Sequence, residues 1–217
     1  MLPVKKTIIT DSSECRYRTA KNALLNANTE SVLNWLESQN SLLLSTSFSE
    51  HSSVLLKLVI ERIPSIPVLW VDTGYNTEST YRYIEEIKQL LNLNLFVYHP
   101  VRSAKHRQAV GEYKRNDEPG YASFSEEVKL EPFKRALREL APAYWITGVR
   151  REETDYRRAM DVVSPGPANV VKIAPLLEWT EAQLNSYIDR HGLPSPMDYY
   201  DPTRENSHLE CGLHTRI

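Results

Sequence analysis

The 217-residue sequence predicts an α/β protein built on a doubly wound, mostly parallel sheet with helices on both faces. Short apolar runs of strand length alternate with segments whose apolar residues recur at helical spacing. Strands separated by helices need crossover connections, which lay the strands parallel and cover both faces of the sheet. A third observation sets the size: 41% of the residues are hydrophobic and evenly spread, so one core and one domain over residues 1–217 are expected.

Residues 18–38 carry Ala, Leu, Val and Trp at helical spacing, and NANTESVLNWL offers an Asn/Thr cap, so an N-terminal helical arm is expected over about 1–40. SLLLSTS (41–47) reads as a strand, followed by the helix SSVLLKLVIERI, whose Val54, Leu55, Leu58, Val59 and Ile63 share one face. The alternation recurs as VLWVDT and ESTYRYIEEIKQLL, as LNLFVYHP and a weaker helix near 103–113, and as EPFKRALREL leading into AYWITGV. VVKIAPL then precedes TEAQLNSYIDRHG, with Thr180 as N-cap and Gly192 as stop. GEYKRNDEPGYASFSEEVK (111–129) and VSPGPANV (163–170) read as loops. Over about 194–217 prolines and weak periodicity predict an irregular, mobile tail lying over the sheet.

Composition narrows the function classes. Lys and Arg total 26 against 28 Asp and Glu, and the net charge of −2 supplies no broad cationic field for nucleic acid or membrane. No apolar run approaches the roughly 20 residues of a membrane span, and the N-terminus lacks the apolar core of a secretory signal. Two cysteines, Cys15 and Cys211, make neither a disulfide framework nor a four-thiolate site, and a reducing cytoplasm fits them best.

In doubly wound sheets ligands sit at the carboxyl ends of the strands, near the point where strand order reverses, which singles out the residues just after each strand. STSFSEHSS after the first strand offers hydroxyls, backbone N–H groups and a positive helix end for a phosphate or sulfate, or is an ordinary N-cap cluster. DTGYNTESTYRY after the second ends a strand in an acid able to accept from a ribose or base, or is a capped turn. GVRREETDYRR after AYWIT concentrates arginines whose forks match sulfate and phosphate oxygens, unless Glu152, Glu153 and Asp155 neutralise them. Cys211 in HLECGLH sits in a polar segment where a nearby cation could favour the thiolate, although a lone cysteine is more often a small buried hydrophobe. The flanking His208 and His214 match no compact zinc pattern.

Taken in order, STSFSEHSSV, VLWVDTGYNTESTYRYI, KLEPFKRAL, WITGVRREETDYRRA, VVKIAPLLEWTEAQLNSYIDRHGLP and ECGLH resemble the phosphoadenylyl-sulfate (PAPS) reductase family, of the adenine nucleotide alpha-hydrolase-like fold. The resemblance implies a cluster-free oxidoreductase of sulfate assimilation, without cofactor, in which Cys211 attacks the sulfate sulfur of PAPS or a related adenylyl sulfate. The resulting S-sulfonate is resolved by thioredoxin or glutaredoxin. It further implies a homodimer, His214 as a catalytic residue beside the nucleophile, and substrate contacts from Ser45, Ser47, Phe48, Ser49, Asp72, Thr73, Gly74, Tyr75, Lys129, Gly148, Arg150, Arg151 and Arg157. Ser49 stands where many relatives carry glycine, the connection from Leu193 to Glu210 is shorter than in typical members, and CGLHTR also aligns with the CEPCTR segment of cluster-bearing relatives. The alternatives are a non-catalytic nucleotide-binding relative and an ATP pyrophosphatase or sulfur transferase of the same fold, although the latter's SGGxDS loop is absent.

Overall fold

Two helices precede the first strand, α1 (Ser12–Ala23) and α2 (Thr29–Glu37), in a computed structural model that describes residues 12–115, 118–203 and Leu213. Asn28 caps α2 by accepting from the Ser31 amide at 2.9 Å, which separates the two helices where the Asn/Thr pair predicts. Strand–helix units follow as β1 (Leu42–Thr46) and α3 (Ser52–Ile60), β2 (Pro67–Val71) and α4 (Glu78–Leu90), and β3 (Asn94–Tyr98) and the short α5 (Ala104–Ala109). Next, α6 (Tyr121–Ser125) runs through a π-helical turn, Glu126–Leu130, into α7 (Glu131–Leu140) and β4 (Tyr144–Ile146). The one-turn α8 (Asp155–Arg158), β5 (Val163–Pro165), a 3-10 turn (Pro167–Asn169), β6 (Val171–Ile173) and α9 (Glu181–His191) complete the described elements. Among the described residues no helix is long and apolar enough to cross a membrane.

The strands form one sheet in the order β3-β2-β1-β4-β6-β5, parallel throughout except for the antiparallel β5–β6 pair. Strand order reverses between β1 and β4. Alternation along the strands fills both faces. Leu42, Leu44, Val68, Trp70, Ile146 and Ile173 point into the larger core with residues of α1–α4 and α9, while Leu43, Leu69 and Trp145 pack with Phe133, Ala136 and Leu137 of α7. Burying a side chain of this size stabilises by about 1.5–3 kcal/mol. The N-terminal helices share this core through Ala20, Leu24, Val32, Leu33 and Leu36.

Two segments read as loops are so only in part. In 111–129, Phe124 and Val128 lie four residues apart and are buried, so a helical period was present but hidden among charged neighbours. Pro132 cannot donate an N–H, and the chain before it relaxes into the π turn, with the Glu131 amide bonding to the Glu126 carbonyl. In 163–170, the turn-forming Ser-Pro-Gly-Pro disguised β5, an edge strand, where proline is tolerated. The weak helix near 103–113 shrinks to Ala104–Ala109. α9 is capped by a full box on Thr180 and Gln183 and stops at Gly192, whose φ of 58° suits glycine.

Candidate active site

The carboxyl ends of β1 and β4 meet at the reversal of strand order and open into a cleft of about 200 Å³. Its first wall is the turn from β1 into α3. Phe48 takes a left-handed backbone (φ 53°) and is fully buried, packing edge-on against Trp70 and Tyr83 at 5.4 and 6.2 Å. It therefore anchors the turn from beneath, and it is not among the residues that line the cleft. Ser45, Ser47 and Ser49 do line it. The Ser47 hydroxyl donates to Ser49 Oγ at 3.2 Å, and Ser52 Oγ donates to the Ser49 carbonyl at 2.7 Å. Helix α3 begins at Ser52 with no side-chain cap from His51, so its positive end faces the cleft.

At the end of β2, Thr73 lines the cleft, whereas Asp72, Gly74 and Tyr75 stand behind it. Asp72 Oδ1 accepts from the Gly74 amide at 2.9 Å, Asn76 Nδ2 at 3.0 Å and the Tyr81 hydroxyl at 2.9 Å. Burial, seconded by this carboxylate, pushes the Tyr81 hydroxyl up to about 12. Asp72 thus organises the turn. The Tyr75 ring packs tilted against Tyr113 at 5.3 Å and edge-on against Phe124 at 5.8 Å, tying the turn to the segment that follows α5.

Three cations line the opposite wall: Lys129 from the π turn, Arg150 after β4, and Arg157 on α8. All are buried and all hold carboxylates. Lys129 pairs with Asp201, Arg150 with Glu152, and Arg157 with Glu153, which also accepts from the Arg150 amide at 3.0 Å. The neutralising role weighed for Glu152 and Glu153 is therefore realised, while Asp155 pairs instead with the exposed Arg158. Gly148 and Thr147 complete this wall. Arg151 is outside it, forked onto Glu178 at 3.0 and 2.6 Å. Glu127, two residues before Lys129, joins Arg102 at 2.8 Å and the buried Arg107 at 2.8 Å. Hydrogen bonding from Arg102, opposed by burial and aided by Arg107, holds the Glu127 carboxyl down at about 2.

Residues 194–203, expected to be mobile, are bonded to the body. Ser195 Oγ donates to the Glu50 carbonyl at 3.0 Å, Thr77 Oγ1 to Asp198 Oδ1 at 2.7 Å, and the hydroxyls of Tyr113 and Tyr200 pair. Tyr199, Tyr200, Asp201 and Pro202 line the cleft, as does Leu213, which packs with the cluster of Phe133 and Trp145. Leu213 stands two positions after Cys211 in the sequence. Cys211 and His214 lie outside the described residues. Sequence reasoning missed Trp145, Thr147 and Tyr199–Asp201; the strand pattern marked Trp145 as core, and nothing local marked the others.

Residues 41–200 match the family model described as phosphoadenosine phosphosulfate reductase domain. A protein of Vibrio parahaemolyticus named phosphoadenosine 5'-phosphosulfate reductase is 36% identical over 77% of this chain and 63% of its own length, under two thirds. One so named from Synechocystis is 32% identical over 89% of this chain and 77% of its own. Among solved structures, a phosphoadenylyl-sulfate reductase of Candida auris in a phosphate complex superposes with a TM-score of 0.69 at 24% identity, covering 83% of this chain and 87% of that one.

Proposed function

The chain belongs to the phosphoadenosine phosphosulfate reductase family, and from that premise we propose that it reduces 3'-phosphoadenylyl sulfate to sulfite through a sulfonated cysteine. The observation that carries the reading is one cleft lined by the serine turn, by Lys129, Arg150 and Arg157, and by Leu213 from the ECGLH stretch. Serine hydroxyls and the end of α3 suit phosphate oxygens; the arginine forks and the ammonium suit a phosphosulfate.

In this reading the Cys211 thiolate attacks the sulfate sulfur. A sulfur–sulfur bond forms, the sulfur–oxygen bond to the phosphate breaks, and adenosine 3',5'-bisphosphate leaves with that electron pair. A dithiol protein of the thioredoxin or glutaredoxin class then attacks Sγ of Cys211, expelling sulfite and forming a mixed disulfide. Its second thiol closes its own disulfide and returns Cys211 as the thiolate. Two electrons pass from the dithiol to sulfur, and Cys211 ends as it began. Lys129, Arg150 and Arg157 hold the anion, and the Asp72 turn and Phe48 fix the walls. Incubation with PAPS and reduced thioredoxin, followed by sulfite assay, tests the whole reading: sulfite release is expected, and nucleotide binding without sulfite would make the chain a binding relative.

A further inference from the structure

Each of the three cleft cations is paired with a carboxylate before any donor enters. Lys129, Arg150 and Arg157 face Asp201, Glu152 and Glu153. A donor bearing several negative charges would meet these carboxylates as like charges, in surroundings where screening is weak. The three differ in how they are held. Glu153 belongs to the same turn as its cations and accepts from the Arg150 amide. Glu152 is 40% exposed, accepts from the Glu181 amide at 2.6 Å, and can turn toward solvent. Asp201 alone comes from a remote segment, and its side chain is 7% exposed.

We propose that Asp201 is an internal occupant of the anion site on Lys129, and that the donor must displace it to bind. The inference rests on the PAPS reading above. Asp201 Oδ1 is fixed by the Thr203 amide at 2.9 Å and the Thr203 hydroxyl at 2.6 Å, which leaves Oδ2 for the ammonium. Burial pushes this carboxyl up, and Lys129 with Thr203 outweighs it, so the group stays ionised and competes as an anion. Residues 195–200 keep further ties to the body on Glu50, Thr77 and Tyr113, and on the fully buried Thr80, whose hydroxyl donates to the Asp198 carbonyl at 2.9 Å. An anion taking Lys129 removes the ion pair that holds Asp201, so donor affinity and release of residues 201–203 are two readings of one equilibrium. Asp201 thereby sets affinity, lowering it by the fraction of molecules in which it holds Lys129.

The test uses the full chain carrying Cys211→Ser, which lacks the proposed nucleophile, with PAPS as the titrant in calorimetry. Adding Asp201→Asn keeps the side-chain shape and removes the charge. Affinity is expected to rise on the order of tenfold; an equal or lower affinity overturns the proposal, because a carboxylate that merely positioned Lys129 would weaken binding when neutralised. No binding by Cys211→Ser itself would instead sink the PAPS reading. Should Asp201→Asn fail to fold, hydrogen exchange of the Cys211→Ser protein decides. Saturating PAPS should speed exchange of the Thr203 amide, and unchanged or slower exchange overturns the proposal.

Discussion

The indole nitrogen of Trp145 donates to the hydroxyl of Ser45 at 2.7 Å, tying β4 to β1 where the strand order reverses. Both residues line the cleft, and the Trp145 ring lies 4.9 Å from that of Phe133 on the face covered by α7. Trp145→Phe removes the donor and leaves space in a packed wall. A stability loss of about 1–3 kcal/mol is expected in urea unfolding. A variant as stable as the parent would show the bond to be incidental.

The cleft cations separate by position. Arg150→Ala and Arg157→Ala should each weaken PAPS binding by about 1.5–3 kcal/mol, and Lys at either position should restore only part of it because the fork is lost. Arg151→Ala should leave affinity within about twofold, since Arg151 is forked onto Glu178 away from the cleft. Calorimetric titration of the variants checks the order; an Arg151 effect as large as that of Arg150 would contradict it.

Much of the fold was legible because strand periodicity is a local signal. Leu42–Leu44 alternate between two cores, and each following turn carries the polar residues a sheet end exposes. The site was legible where it lies directly after a strand, as for Ser47, Thr73 and Arg150. It was illegible where partners meet from afar. Asp201 reaches Lys129 across 72 positions, and no local pattern announces such a pair. The burial of Phe48 was illegible because it sits among serines that face the cleft while its own ring turns under them. The polar segment 194–203 supplies little apolar area, and docks through hydrogen bonds that composition does not reveal.

Acid should loosen the wall that carries Lys129. Glu127 titrates at about 2 in the folded chain instead of at 4.5, so its contribution to stability is complete above pH 4.5 and is lost as pH falls toward about 2. Its side chain is 35% exposed, which keeps the effect modest. Glu127→Gln should be less stable at neutral pH and lose stability less steeply between pH 4.5 and 2. Urea midpoints measured across this range check it, and parallel profiles for variant and parent would contradict it.

Gly74 has a φ of 80°, and a Cβ there would stand 3.2 Å from Ala104 Cβ. Gly74→Ala should therefore cost roughly 1–2 kcal/mol from the backbone alone, with the turn that presents Thr73 displaced. Thermal unfolding together with PAPS affinity reads both effects, and a neutral substitution would show that the turn can relax.

The proposed nucleophile gives the most direct test. Protein mixed with PAPS in the absence of any dithiol, then measured by intact mass, should carry one added sulfonate that dithiothreitol removes. Cys211→Ser should carry none while still binding the nucleotide, and Cys15→Ser should be sulfonated as the parent is, because Cys15 lies on α1, outside the cleft lining. A parent protein that binds PAPS without gaining the sulfonate, or a Cys211→Ser protein that gains it, would contradict the account.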